Sequence, residues 1–418
     1  MLYSQDGLGL GHLRRTNSIA AALVQARPDA AILTASDSRL SPFFQPTPNQ
    51  DYVKLPSIVK VGPGDWRPVG LPLEFPEVHA LRREMLRATA LAFRPELVLV
   101  DHMPHGAMGE LLPTLEALRA SSPSVRIAVG LRDILDAPAV IRRVWAEEGA
   151  YEAIEHHYDR VLVYGSRSVF DLAAQYDLPD AVAARVRYTG YVCTPNRARY
   201  AARLRADHGA DGGRALLVAM AGGGMDGYLM MRTLLDALPL VRAEQPCAAV
   251  LVTGPFMPAG QRRDLQKRAQ ALAATVRISV SDPLSYVEAA DVVTAMAGYN
   301  STVEILRSAT PAVLIPRSGP SAEQRTRAAL FAERGWVRTI DPDLLHAEAL
   351  AAAVLASLAA PPYPSGPGGP PLAGLDQAVV QLLALAEGDD GQAGAPRAAP
   401  AVGAMPAAPA APAAPAAP

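Results

Sequence analysis

Short apolar runs separated by helix-length segments recur along the chain, and the rhythm starts twice. In the first half the runs are Met1–Ser4, Ala31–Thr34, Leu97–Val100, Arg126–Val129 and Arg160–Tyr164. They are apolar at successive rather than alternate positions, as strands must be when helices cover both faces of their sheet. Strand and helix in alternation build a parallel sheet through right-handed crossovers. After Tyr188–Val192 and an arginine-rich polar helix, the pattern resumes at Ala215–Val218, Ala248–Val252, Val276–Ile278, Val292–Thr294 and Ala312–Ile315. The expectation is an α/β protein of two Rossmann-like lobes whose parallel sheets face a cleft, hinged near residues 191–212. A chain of 418 residues, 50% of them apolar, has the length for two such units. The run opening at Met1 is short for a first strand and is expected to lack a few residues at its start.

The lobes are expected over 1–192 and 193–360. Residues 361–390 read as a linker with a short amphipathic helix at Leu375–Ala386 that packs back across the hinge. Residues 391–418 are rich in Ala and Pro and bury too little to repay ordering, so a disordered tail is expected. A net charge of -2 gives no reason to expect nucleic acid or an anionic membrane as the main electrostatic partner. Cys193 and Cys247 are too few for a disulfide framework or a multi-cysteine zinc site, which suits a reducing, cytoplasmic setting. The N-terminus lacks the order of a signal peptide, and no run of roughly 20 apolar residues appears. Peripheral membrane contact stays open.

Chemistry is expected where strands hand over to helices. Asp6-Gly7-Leu8-Gly9-Leu10-Gly11-His12 follows the first strand, and its glycines let the turn pass close to a ligand. The spacing differs from the dinucleotide G-x-G-x-x-G, and no acidic residue follows at the ribose position, which disfavours nicotinamide. His12 is placed as a general base or a substrate hydrogen-bond donor, or more plainly as a helix cap. Asp101 ends an apolar strand and is expected to face the cleft as a second candidate base. In the second half, Gly222-Gly223-Gly224 can turn main-chain amides onto a diphosphate, or merely allow tight strand-to-helix packing. No Lys follows at the P-loop position.

The segment Gly298-Tyr299-Asn300-Ser301-Thr302-Val303-Glu304 carries most of the functional signal. Asn300 or Ser301 can cap a helix whose free amides face a phosphate, and Glu304, within the first turn or so, can reach vicinal ribose hydroxyls. The same spacing also fits a capping arrangement in which Glu304 returns to the backbone. Beyond it, Glu323 and Gln324 can bind sugar hydroxyls, and Arg317 or Arg325 can neutralise phosphate or simply face solvent. Asp341-Pro342-Asp343 has the D-x-D spacing of metal-dependent sugar transferases, yet its place between strand and helix suits a turn and N-cap. His156-His157 and Asp101-His102 lack a third ligand at metal spacing, so no metal is expected. A serine-hydrolase elbow and a Cys/His pair are absent from the sequence.

Together these pieces resemble glycosyltransferase family 28, best known from the N-acetylglucosaminyltransferase of peptidoglycan synthesis, and more closely a related group of uncharacterised glycosyltransferases. The resemblance rests on Asp6–Arg15, Leu131-Arg132-Asp133-Ile134-Leu135, Thr189-Gly190-Tyr191-Val192 and Gly298–Glu304, and covers roughly residues 1–360. It implies a bacterial enzyme of the GT-B fold, with the acceptor on the first lobe and a nucleotide-diphosphate sugar on the second. It places Glu304 on the ribose, Ser301 and Thr302 at the diphosphate, Gly222–Gly224 near the phosphates, and the Leu284 backbone at the uracil edge. Gly298, Asn300 and Arg317 fall in the same donor site, with Glu323 and Gln324 at the sugar. Gly9, Gly11, Arg14 and Arg132 stand on the acceptor side with His12. The sequence departs from the family at the hinge, Gly190-Tyr191-Val192-Cys193-Thr194, which lacks the family's arginine, and at Glu323, which replaces the first of two glutamines. The expected activity is metal-independent transfer from a UDP-sugar to a hydroxyl, with no cofactor. A nucleotide-sugar hydrolase using a His12-activated water, a weaker epimerase reading, and a non-catalytic binding protein are the alternatives.

Overall fold

The computed structural model describes residues 1–6, 11–39, 48–62, 65–194, 199–360 and 368–388. Gly9 and the Ala/Pro-rich tail lie outside the described residues. The first lobe runs β1 Leu2–Ser4, α1 Gly11–Ala26, β2 Ile32–Ser36, β3 Gln50–Lys54, β4 Ile58–Gly62, β5 Asp65–Pro68, α2 Phe75–Phe93, β6 Leu97–Asp101 and α3 Leu112–Ser121. It continues through β7 Arg126–Arg132, α4 Pro138–Glu148, α5 Ala150–His157, β8 Arg160–Tyr164, the one-turn helices α6 Leu172–Gln175 and α7 Asp180–Ala183, and β9 Val186–Tyr188. The second lobe comprises α8 Ala201–Asp207, β10 Ala215–Met220, α9 Tyr228–Glu244, β11 Cys247–Val252, α10 Ala259–Ala271, β12 Thr275–Arg277 and α11 Pro283–Ala289. Then follow β13 Val292–Ala295, α12 Tyr299–Arg307, β14 Ala312–Leu314, α13 Glu323–Glu333, β15 Arg338–Thr339 and α14 Ala347–Leu358. A final helix, α15 Gly374–Ala386, lies against α1, β7 and β8.

Both large sheets are parallel, with strand orders β3-β2-β1-β6-β7-β8-β9 and β12-β11-β10-β13-β14-β15. The two-faced apolar runs have their cause in the packing. In β10, Leu216, Val218 and Met220 enter a core that continues through the hinge into the first lobe, while Leu217 and Ala219 enter a separate core under α9 and α14. In β8, Leu162 and Tyr164 face one side and Val161 and Val163 the other.

Strand order reverses between β1 and β6 in the first sheet and between β10 and β13 in the second. Such reversals open a crevice at the carboxyl ends of the strands, where α/β sheets bind ligands. The first crevice receives His12 and Asp101; the second receives the Gly222–Gly224 loop and Gly298.

Several expectations need correction. Strand β9 ends at Tyr188, because Gly190 turns at φ +85° to leave the sheet. There Tyr191 N–H donates to the Pro371 carbonyl, and a Cβ on Gly190 would sit 2.6 Å from that oxygen, so this turn requires glycine. Edge strand β3 and the antiparallel β4–β5 hairpin carry too little continuous apolar sequence to read as strands. Ile278 lies outside β12 and is exposed. Both cysteines are buried and free.

Candidate functional site

Burial and charge assemble the first crevice. Asp6 holds the start of α1, its carboxylate accepting from the His12 and Leu13 amides at 3.1 and 3.2 Å. Asp37 in turn accepts from the Asp6 amide, and the fully buried Arg82 pairs with Asp37 and Glu110. A salt-bridged core therefore fixes where His12 stands.

His12 Nδ1 lies 2.6 Å from Asp101 Oδ2. Arg15, one helical turn further on, donates to both oxygens of the same carboxylate at 2.8 and 2.7 Å. Burial alone would raise the Asp101 pKa, but the charges of Arg15 and His12 and their hydrogen bonds outweigh it and hold the carboxyl below its usual range. An ionised Asp101 keeps the proton on Nδ1 and leaves the lone pair on Nε2. His12 is therefore not a helix cap: its backbone is capped by Asp6 and its ring is oriented by Asp101.

His102 is a neighbour that the sequence offered only as half of an incomplete metal pair. Its ring centroid lies 4.9 Å from that of His12, and its backbone takes φ +75°, a conformation side-chain-bearing residues adopt at a cost. Burial, followed by the charges of Arg132 and His12, pushes its pKa well down, so it stands as a neutral imidazole. Its Nδ1 has no partner among the described residues. A histidine directly after the aspartate that ends a cleft-facing strand was the available signal.

In the second crevice, α12 is capped by Gly298 with no side-chain cap, not by Asn300 or Ser301. Among the described residues no side chain takes up its first amides. Asn300 instead spans the cleft, donating through Nδ2 to the Gly11 carbonyl at 2.9 Å. Glu304 sits in the second turn and does not return to its own backbone: its Oε1 is 2.6 Å from Arg14 Nη2. Burial raises the Glu304 pKa, opposed by Arg14 and a hydrogen bond from Thr194.

The glycine loop divides its duties. A Cβ on Gly222 would lie 3.8 Å from Ser301 Oγ, so this loop faces the start of α12. Gly224, at φ +101°, lies directly against the Thr253 carbonyl, which makes tight packing its role. Thr302 is fully buried and its hydroxyl has no partner among the described residues. Leu284 is buried in the first turn of α11, whose start Asp282 caps by accepting from the Ser285 amide at 3.2 Å.

Glu323 begins α13 and is bound at 2.9 Å by Arg132 of the first lobe and at 2.9 Å by Arg327. Burial would raise its pKa, but Arg132 and then Arg327 bring it below the usual range. Gln324 Oε1 accepts from the Arg317 amide at 3.1 Å. A cavity of about 210 Å³ opens beside Arg317, lined by Asp226, Leu229, Met230, Met296 and Ile315. Arg325 pairs with Asp341 and Asp343, and Asp341 caps a short 3-10 turn, so the D-x-D segment is structural. Among the described residues no three His, Cys, Asp or Glu side chains group as cation ligands. No helix among them is long and apolar enough to cross a membrane.

Residues 223–365 match the glycosyltransferase family 28 C-terminal domain. The matched stretch begins within the glycine loop after β10 and takes in most of the second lobe. Over 159 residues the chain is 30% identical to the UDP-N-acetylglucosamine--N-acetylmuramyl-(pentapeptide) pyrophosphoryl-undecaprenol N-acetylglucosamine transferase of Acidothermus cellulolyticus, a match covering 38% of this chain and 42% of that protein. Three solved structures share the chain's fold. The glycotransferase of kitacinnamycin has a TM-score of 0.53 and 18% identity, covering 92% of this chain and 94% of its own. MurG of Acinetobacter baumannii has a TM-score of 0.53 and 14% identity, covering 91% and 98%. A Listeria monocytogenes protein assigned as UDP-N-acetylglucosamine 2-epimerase has a TM-score of 0.59 and 13% identity, covering 94% and 97%. At these identities the structural likeness speaks to the fold alone, and the fold is GT-B.

Proposed function

We propose that the chain is a metal-independent glycosyltransferase moving a hexose or N-acetylhexosamine from a UDP-sugar to an acceptor hydroxyl, with the acceptor on the first lobe and the donor on the second. The observation that carries this reading is the position of Arg14. Two residues after His12 on α1, it meets Glu304 of the family 28 lobe at 2.6 Å. The helix that carries the candidate base is therefore tied directly to the candidate ribose-binding carboxylate of the other lobe. The relative from Acidothermus cellulolyticus is named for a UDP-N-acetylglucosamine donor, which suggests the donor class.

In the proposed reaction His12 Nε2 takes the acceptor proton while Asp101 stabilises the imidazolium that forms. The anomeric carbon passes from the diphosphate oxygen to the acceptor oxygen, and the proton on His12 is later released to solvent. Main-chain amides at the start of α12 and arginines of the cleft balance the charge on the departing diphosphate. Closure of the lobes supplies proximity. The cytoplasm is the proposed setting, in keeping with two buried, free cysteines.

Thermal shift with UDP and UDP-N-acetylglucosamine tests the donor site, because a ligand bound only to the native state raises the melting point. Glu304→Ala is expected to erase that shift. UDP release against a panel of sugar and lipid-linked acceptors, with EDTA present, tests transfer. Equally fast release of free sugar with no acceptor would make the enzyme a hydrolase instead.

A further inference from the structure

The Arg14–Glu304 pair poses a conflict. Glu304 has 4% of its side chain exposed and Arg14 25%, and the two are 2.6 Å apart. A carboxylate so enclosed and already bonded to a guanidinium has no room for a ribose diol as well. One partner must leave before the other enters.

The surroundings decide where the displaced partner goes. The starts of α1 and α12 face each other, joined by the bond from Asn300 to the Gly11 carbonyl. The start of α1 is capped by Asp6, but α12 has no side-chain cap among the described residues, so its amides and the positive end of its dipole favour an anion at that gap. Beside Glu304 the segment linking the lobes presents Thr194, whose hydroxyl hydrogen-bonds to the carboxylate. The comparable pair between Arg132 and Glu323 has a different character. Glu323 keeps Arg327 as a second cation at 2.9 Å and is fully engaged within its own lobe. Arg14, by contrast, is partly exposed and held on Glu304 by one bond to a single oxygen.

We propose that Arg14 is a donor-binding residue that changes partners: the ribose hydroxyls of a nucleoside diphosphate sugar replace its guanidinium at Glu304, and the freed guanidinium pairs with the diphosphate. This rests on the donor-site reading above. Arg14 thus belongs to the donor's leaving group, although it stands on the acceptor lobe, and in the empty enzyme it serves as a plug that a neutral nucleoside must displace without recompense. A nucleoside diphosphate is repaid by the new charge-assisted contact.

The test compares UDP with uridine by calorimetry on the full chain, using wild type, Arg14→Ala and Arg14→Met, the last keeping most of the apolar stem. The expected result is opposite in sign for the two ligands. UDP binding weakens by about tenfold or more, the loss of one charge-assisted contact. Uridine binding holds or tightens, because its competitor at Glu304 is gone. Equal weakening of both ligands would make Arg14 a structural clamp and overturn the proposal, as would unchanged UDP binding. Failure of the wild-type protein to bind either ligand would instead sink the donor-site reading and this proposal with it.

Discussion

The Arg327 guanidinium and the Asp133 carboxylate, 194 residues apart in sequence, meet at 2.6 Å in the interface between the two lobes. Both are buried, and Arg327 also donates to Asp133 Oδ2 through Nε and to the Ala297 carbonyl, each at 2.9 Å. Asp133→Ala leaves this guanidinium without its interlobe carboxylate. Removing one partner of a buried pair typically costs about 3–5 kcal/mol, because the other charge stays desolvated. Urea unfolding is expected to show a loss of that order, with Asp133→Asn losing less because its amide oxygen still accepts. A loss under about 1 kcal/mol would mean that water already reaches Arg327.

His12→Ala is expected to lower sugar transfer by about 10²–10⁴-fold, the usual contribution of a positioned base. The UDP-induced thermal shift should remain, because His12 contacts Asp101 of its own lobe and not the α12 start. Full transfer activity in the variant would remove His12 from the chemistry.

Two acids in the cleft should respond to pH with opposite signs. Burial raises the Glu304 pKa, so its ionisation costs stability as pH climbs through the folded value. Glu304→Gln is therefore expected to match wild type in acid and gain on it toward neutral pH, while losing UDP. Arg132 and Arg327 outweigh burial at Glu323 and depress its pKa, so its stabilising contribution is present above the ordinary carboxylate range and fades as pH falls through the folded value. Glu323→Gln should be less stable than wild type at neutral pH, and the gap should close in acid. Melting curves from pH 3 to 8 check both, and curves of the same sign would refute the assignment of these charges.

Leu382 on α15 is fully buried, and the adjacent Gln381 carbonyl accepts from Arg160 Nη1 at 2.8 Å. Leu382→Ala is expected to cost about 2–5 kcal/mol, the range for emptying a leucine site that cannot collapse. Hydrogen exchange should quicken in α1 and β8, which α15 covers. Faster exchange confined to α15 would show that it contributes nothing to the first lobe.

The central strands and the places where they meet ligands were legible because each depends on local sequence. A strand between two helix layers is apolar at successive positions, as over Val161–Tyr164 in β8, found at the expected residues. The loops after β1, β10 and β13 announced themselves by glycine. Edge strand β3 was not legible: its Gln50-Asp51-Tyr52-Val53-Lys54 is largely solvated, so no apolar run was selected there. The cap of α12 was misread because Asn300 looks like a capping residue locally, whereas its side chain is claimed by the Gly11 carbonyl of the other lobe.

By itself, then, the sequence determined two parallel sheets, their crevices and the residue types lining them, because hydrophobic period and turn chemistry act over a few neighbouring residues. Only the tertiary structure decided which charges meet. Arg14 with Glu304, Arg132 with Glu323 and Asp133 with Arg327 are separated by 290, 191 and 194 residues. Pairings of that range depend on how the lobes pack and on the loss of water between them, which makes a charge seek its partner and which no local pattern encodes.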